Sequence, residues 1–164
     1  SRRSEASIRS WVRSIVDDGV ERVNPYRGDG SRMNAAATIR EYYEALRRGE
    51  PLYPYFAERS DVVKFGVGER LVGYDAVAEG LREQTRTTDD WTVESQDLRV
   101  TERNDYAYFS DTVFMSWTDR EADHEYAFST RWSGTLERRA VGDEDQEAEW
   151  LFVGMHVSTP YVDG

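Results

Sequence analysis

The stretch EAEWLFVGMHVSTP at residues 147–160 sets His156 and Ser158 two positions apart in an otherwise apolar strand, just before Pro160. A strand made only for burial needs neither residue. An imidazole titrates near neutrality and can act as a general acid or base, or donate to a ligand oxygen. The plainer alternative is a histidine hydrogen-bonded to a neighbouring strand. Asp111 is the second candidate. In DYAYFSDTVFMSW, strict alternation places it in a row with Ala107, Phe109, Val113, Met115 and Trp117, so one carboxylate stands among apolar side chains. Desolvation there raises a carboxyl pKa towards a general-base range. A bulge that turns Asp111 outward, or an ion pair with an arginine, are the structural alternatives. Arg131 is the third, because a guanidinium fork suits a carboxylate. It shares its face with Ser129, Ser133 and Thr135, and a solvated arginine is the competing reading. Trp91 and Trp117, with Tyr42, Tyr43, Tyr53 and Tyr55, can supply aromatic walls or a hydroxyl donor, although core packing also explains such residues.

These residues need elements to position them. The apolar spacing of Ile8, Trp11, Val12, Ile15 and Val16 predicts a narrow amphipathic helix. VNPYRGDGSR then reads as a linker, so residues 1–33 are expected to be a helical extension outside a domain of residues 34–164. A second helix is predicted from Ser31 or Asn34 to Gly49, with Ala36, Ile39, Tyr43 and Leu46 along one face. A short helix or turn follows at PLYPYFAERSD, then a hairpin in DVVKFGVGERLVG, then a helix capped by Asp75. From Trp91 the period changes to two, and four long antiparallel strands are expected, with His124 in a turn. Helices followed by strands describe an α+β fold, a bent sheet wrapped around helices. On alternation alone, Trp150, Phe152, Gly154, His156 and Ser158 share one face of the last strand. The expectation is that His156 and Ser158 face the interior, close to Arg131 and Asp111.

The same succession of elements resembles the SnoaL-like branch of the nuclear transport factor 2-like superfamily. Gly68, Gly73 and Val77 match the glycine pattern after the first hairpin, and Trp150, Phe152, His156, Ser158 and Pro160 match the closing motif. The ending is also similar to the association domain of calcium/calmodulin-dependent protein kinase II. Gly154 stands where the first histidine of the motif's pair falls, so the resemblance does not extend to a histidine pair. It implies a cone-shaped α+β barrel whose mouth admits a small molecule. It also implies enzymes of ketosteroid isomerase, polyketide cyclase or dehydratase type, or binding modules without catalysis, between which the fold does not choose.

Composition narrows the partners. The net charge is -11, with 32 acidic residues, and Lys64 is the single lysine among 21 basic residues. An acid-rich surface without a basic stripe does not suit nucleic acid or anionic membranes. It resembles the surfaces of proteins that work in molar salt, where mutual repulsion is screened. No cysteine is present, which excludes disulfides and thiolate chemistry. Neither a metal-ligand spacing, a dinucleotide fingerprint, a P-loop nor a nucleophile elbow is found, so no cofactor and no metal are expected. A cytoplasmic homodimer is the expectation, either a small-molecule-binding module or a cofactor-free enzyme in which Asp111 or His156 moves a proton.

Overall fold

The computed structural model describes residues 34–140 and 148–161. The predicted helix around Trp11, its linker, and the acidic loop at 141–147 lie outside the described residues.

Helix α1 runs Ala35–Arg48. Asn34 caps it by accepting from the Ala37 N–H at 2.8 Å, a contact that contributes about 1 kcal/mol. Gly49 ends it in the left-handed conformation (φ 68°), returning its N–H to the Ala45 and Leu46 carbonyls. Ile39, Tyr42, Tyr43 and Leu46 are buried along its inner face. Each such side chain contributes roughly 1.5–3 kcal/mol by leaving water. A 3-10 turn at Tyr53–Tyr55 follows. Strands β1 (Val63–Gly66) and β2 (Glu69–Val72) form the expected hairpin. Helix α2 (Tyr74–Thr87) has Gly73 at its N-cap with no side-chain cap, so Asp75 is a first-turn acid favoured by the helix dipole and not the cap.

The expected strand from Trp91 begins earlier and divides in two, β3 (Thr88–Ser95) and β4 (Arg99–Glu102). Both pair with β5 (Tyr106–Asp119), which pairs in turn with β6 (His124–Ala140). His124 opens β6 instead of sitting in the turn. The last strand, β7 (Ala148–Ser158), lies between β6 and β1, antiparallel to the first and parallel to the second. Among the described residues the sheet has seven strands in the order β2-β1-β7-β6-β5-β3, with β4 on β5. The fold is the expected α+β cone, although the sheet is curved and does not close into a barrel.

The core lies between α1 and the inner sheet face. Tyr42 meets Trp132 and Phe152 edge-on at 6.0 and 5.3 Å, and Tyr43 meets Trp132 at 5.3 Å. Arg47 ties the end of α1 to β3 through the Val93 carbonyl, with Nε at 2.8 Å. The buried Thr130 is satisfied, donating to the Val113 carbonyl at 2.6 Å and accepting from Trp132 Nε1 at 2.9 Å.

The register of β7 changes how the closing motif is read. Thr135 lies opposite Gly154, but Leu136 lies opposite Phe152, which leaves Val153 as the extra residue of a bulge. One inserted residue exchanges the faces of everything after it. Phe152 is therefore interior, and so are Met155 and Val157, which are 3% and 5% exposed. Gly154, His156 and Ser158 come to the outer face, so the single face expected for the motif is split.

Candidate functional site

Asp111 stands on the inner face of β5, as alternation predicted, and is 5% exposed. It is not turned outward by a bulge, and among the described residues it meets no arginine. Its Oδ2 accepts from the Tyr43 hydroxyl at 2.9 Å and from Ser95 Oγ at 2.6 Å, and its Oδ1 accepts from the Asp97 N–H at 3.0 Å. Tyr43 comes from α1, Ser95 from the end of β3, and Asp97 from the β3–β4 connection. Burial pushes the Asp111 carboxyl above the usual carboxylate range, and the bonds from Ser95, Asp97 and Tyr43 pull the other way. Burial raises the Tyr43 hydroxyl as well, helped by the neighbouring Asp111 charge. The cluster can hold a proton, and it also fastens three elements together.

His156 is on the other side of the sheet. It is exposed, pairs across the strands with Phe65 of β1 and Ser133 of β6, and packs against the Phe65 ring at 5.4 Å. Ser158 lies opposite Arg131, and Arg131 opposite Thr112. Together with Ser110, Ser133 and Asp97, these residues line an open groove of about 400 Å³ on the outer face. The expectation that His156 and Ser158 face the interior beside Asp111 is therefore not met. The sheet brings His156, Ser158 and Arg131 together; Asp111 and Trp132 also border this groove, but the Asp111 carboxylate is turned to the Tyr43 hydroxyl of α1.

The predicted aromatic residues divide likewise. Trp91 and Trp117 stack at 4.7 Å with planes 16° apart. Tyr126 continues the row from Trp117 at 5.4 Å, and Phe128 continues it from Tyr126 at 6.1 Å. All four are partly exposed, on the face that α1 covers further along the strands. A bulge between Asp89 and Thr92, with Asp90 in the left-handed region (φ 54°), sets Trp91 against Trp117, and Trp91 Nε1 donates to Thr88 Oγ1 at 2.9 Å. Such a backbone costs on the order of 1 kcal/mol, least for Asp and Asn. Tyr55 is apart from this row, edge-on to Tyr42 at 5.6 Å. Sequence reasoning missed Ser95, Tyr126 and Phe128. The positions of Tyr126 and Phe128 opposite Trp117 and Met115 follow only from the β5–β6 register. Among the described residues no three potential metal ligands cluster, and no helix is long and apolar enough to cross a membrane.

The comparisons with known proteins agree with this architecture. Residues 35–162 match the sequence model of the SnoaL-like domain. No curated protein matches the chain. Among solved structures, a dehydratase candidate of the NTF2-like family from Streptomyces avermitilis superposes with a TM-score of 0.64 at 16% identity, covering 77% of this chain and 94% of that one. A ketosteroid isomerase-like protein from Erwinia carotovora atroseptica gives 0.61 at 19% identity, covering 77% and 94%. A candidate calcium/calmodulin-dependent protein kinase II association domain from Xanthomonas campestris gives 0.62 at 17% identity, covering 84% and 92%. Identities this low speak for the fold alone. With the domain match spanning most of the sequence and the cone of helices and curved sheet in place, the chain belongs to the SnoaL-like domain family.

Proposed function

We propose that this chain is a ligand-binding module that takes a flat, largely apolar ring against Trp91 and Trp117. The observation that carries this reading is the row of near-parallel, partly exposed rings at Trp91, Trp117, Tyr126 and Phe128. Packing leaves their apolar surface incompletely covered, and aromatic faces favour offset stacking with another ring. The state of Asp111 argues in the same direction: its carboxylate is engaged by Tyr43, Ser95 and Asp97, and neither histidine reaches it. Titration with phenol, indole and 2-naphthol, followed by tryptophan emission, tests the module. Quenching that saturates, and that weakens about tenfold in Trp117→Ala, is the expected result, corresponding to about 1.4 kcal/mol of lost stacking. Emission unchanged by every compound overturns it.

A second reading, a cofactor-free isomerase, cyclase or dehydratase, is favoured by one observation: the raised proton affinity of Asp111 beside the Tyr43 hydroxyl. In that case Asp111 exchanges the proton and Tyr43 donates to a developing oxyanion. Turnover of a cyclic ketone that disappears in Asp111→Asn, with folding retained, would select it.

We further propose a homodimer joined through the part of the outer sheet face where Val72, Tyr106 and Tyr108 are exposed, beside the row of Phe65, His156 and Ser133 and not over it. Large apolar side chains grouped on one face mark an interaction surface. Tyr108→Glu is expected to halve the mass seen by light scattering, and a monomeric wild type excludes the dimer. The acid-rich, lysine-poor composition supports a salt-rich cytoplasm as the setting.

A further inference from the structure

The outer-face groove has a cation, Arg131, in its lining. Arg47, Arg48, Arg59, Arg86, Arg99 and Arg120 each face a carboxylate. The side chain of Arg131, exposed in the centre of β6, has no ion pair and no hydrogen bond among the described residues, as is also true of some other arginines such as Arg70 and Arg139, although the chain carries 32 acidic side chains. The strand register surrounds it with donors. Ser158 and Thr112 flank it on β7 and β5, and the next cross-strand row runs Phe65, His156, Ser133, Ser110, Arg99. Two aspartates border the groove: Asp97, whose Oδ2 is engaged by Arg99 Nε at 3.1 Å, and Asp111, whose carboxylate is taken up by Tyr43, Ser95 and the Asp97 N–H.

We propose that this groove is an oxyanion site, in which the Arg131 guanidinium holds a phosphoryl, sulfuryl or carboxylate group. Hydroxyls of Ser110, Ser133, Ser158 and Thr112 and a ring N–H of His156 complete its coordination. A planar guanidinium offers two parallel N–H donors to such a group, and hydroxyls can turn to donate the remaining bonds. At Gly154 no described residue stands within 4 Å of where a Cβ would be, which keeps the neighbouring row open. The volume of about 400 Å³ accommodates a small metabolite carrying the anionic group. The site lies on the opposite side of the sheet from the aromatic row and does not depend on it.

The test is calorimetric titration of the full chain with inorganic phosphate, sulfate and acetate at constant ionic strength in potassium chloride. Saturable binding of at least one anion is expected, and the preferred anion distinguishes a phosphoryl or sulfuryl group from a carboxylate. Arg131→Gln should weaken that binding at least tenfold, and Ser133→Ala by a smaller factor, both with unchanged melting temperature. Arg120→Gln, whose guanidinium lies away from the groove beside Asp89, should bind as the wild type does. No saturable heat with any of the three anions overturns the proposal. Equal weakening in Arg131→Gln and Arg120→Gln also overturns it, because that pattern reports general charge screening.

Discussion

Asp111 shows how one side chain can be both strained and satisfied. Three donors approach its carboxylate, yet burial outweighs them and raises its proton affinity. The pH dependence follows from this sign. A carboxyl whose folded pKa lies above its unfolded value contributes stability that is fully present below about pH 3.9 and is lost as the pH rises through the folded pKa. Asp111→Asn removes this titration while keeping the shape. Urea denaturation from pH 4 upward should therefore show the wild type losing stability relative to Asp111→Asn. A difference that moves the other way would mean the three donors dominate. Gln96 is a simpler case of strain. Its amide oxygen and nitrogen are both buried without a partner among the described residues, and its backbone N–H goes to the Thr112 carbonyl at 2.9 Å. An unpaired buried amide costs about 1–3 kcal/mol, so Gln96→Leu is expected to be neutral or to raise the melting temperature.

At the scale of elements, the β6–β7 pair decides which residues can meet. Gly134 lies at the close approach of the two strands beside the bulge. A Cβ there would collide with the Gly154 carbonyl oxygen and stand 2.9 Å from the Phe109 ring. Backbone cannot move aside as a flexible side chain can, so Gly134→Ala is expected to destabilise by about 2–3 kcal/mol. Gly154 faces open space on the outer side, and Gly154→Ala should stay within about 0.5 kcal/mol of wild type. Thermal denaturation of the two variants checks the contrast. Equal losses would mean that the outer face at Gly154 is covered. The same bulge carries Phe152 into the aromatic core while His156 is left outside beside Phe65.

The whole molecule carries a net charge of -11, and the surface ion pairs among the described residues are mostly local, such as Arg86 with Glu83 and Arg59 with Asp61. Exposed pairs of this kind contribute little. Self-repulsion among the remaining carboxylates opposes the compact state until salt shortens its range, from about 10 Å at 0.1 M to about 3 Å at 1 M. The melting temperature should accordingly rise by about 5 °C or more between dilute buffer and 2 M potassium chloride. Equal melting temperatures in the two media would count against adaptation to salt. Lys64 departs from this surface pattern, being 5% exposed and paired with Glu69 at 2.7 Å beneath the first hairpin.

Much of the architecture is encoded locally, and so it was legible in the sequence. Asn34 and Gly49 bound α1 because a cap needs only its own helix turn. The face of Asp111 could be read because alternation in β5 continues unbroken from Ala107 to Trp117. The closing motif pointed to the family because it belongs to a strand held between two others, where both neighbours restrict its residues. The side on which His156 lies was decided only in the tertiary structure. The bulge at Val153 depends on how closely Gly134 approaches Gly154, and no residue within β7 announces it. Likewise Tyr43 meets Asp111 across a separation of 68 residues, and Arg131 meets Ser158 across a strand pairing. Periodicity tells which residues of one element share a face; packing between elements decides what that face looks upon, and therefore which side chains can act together.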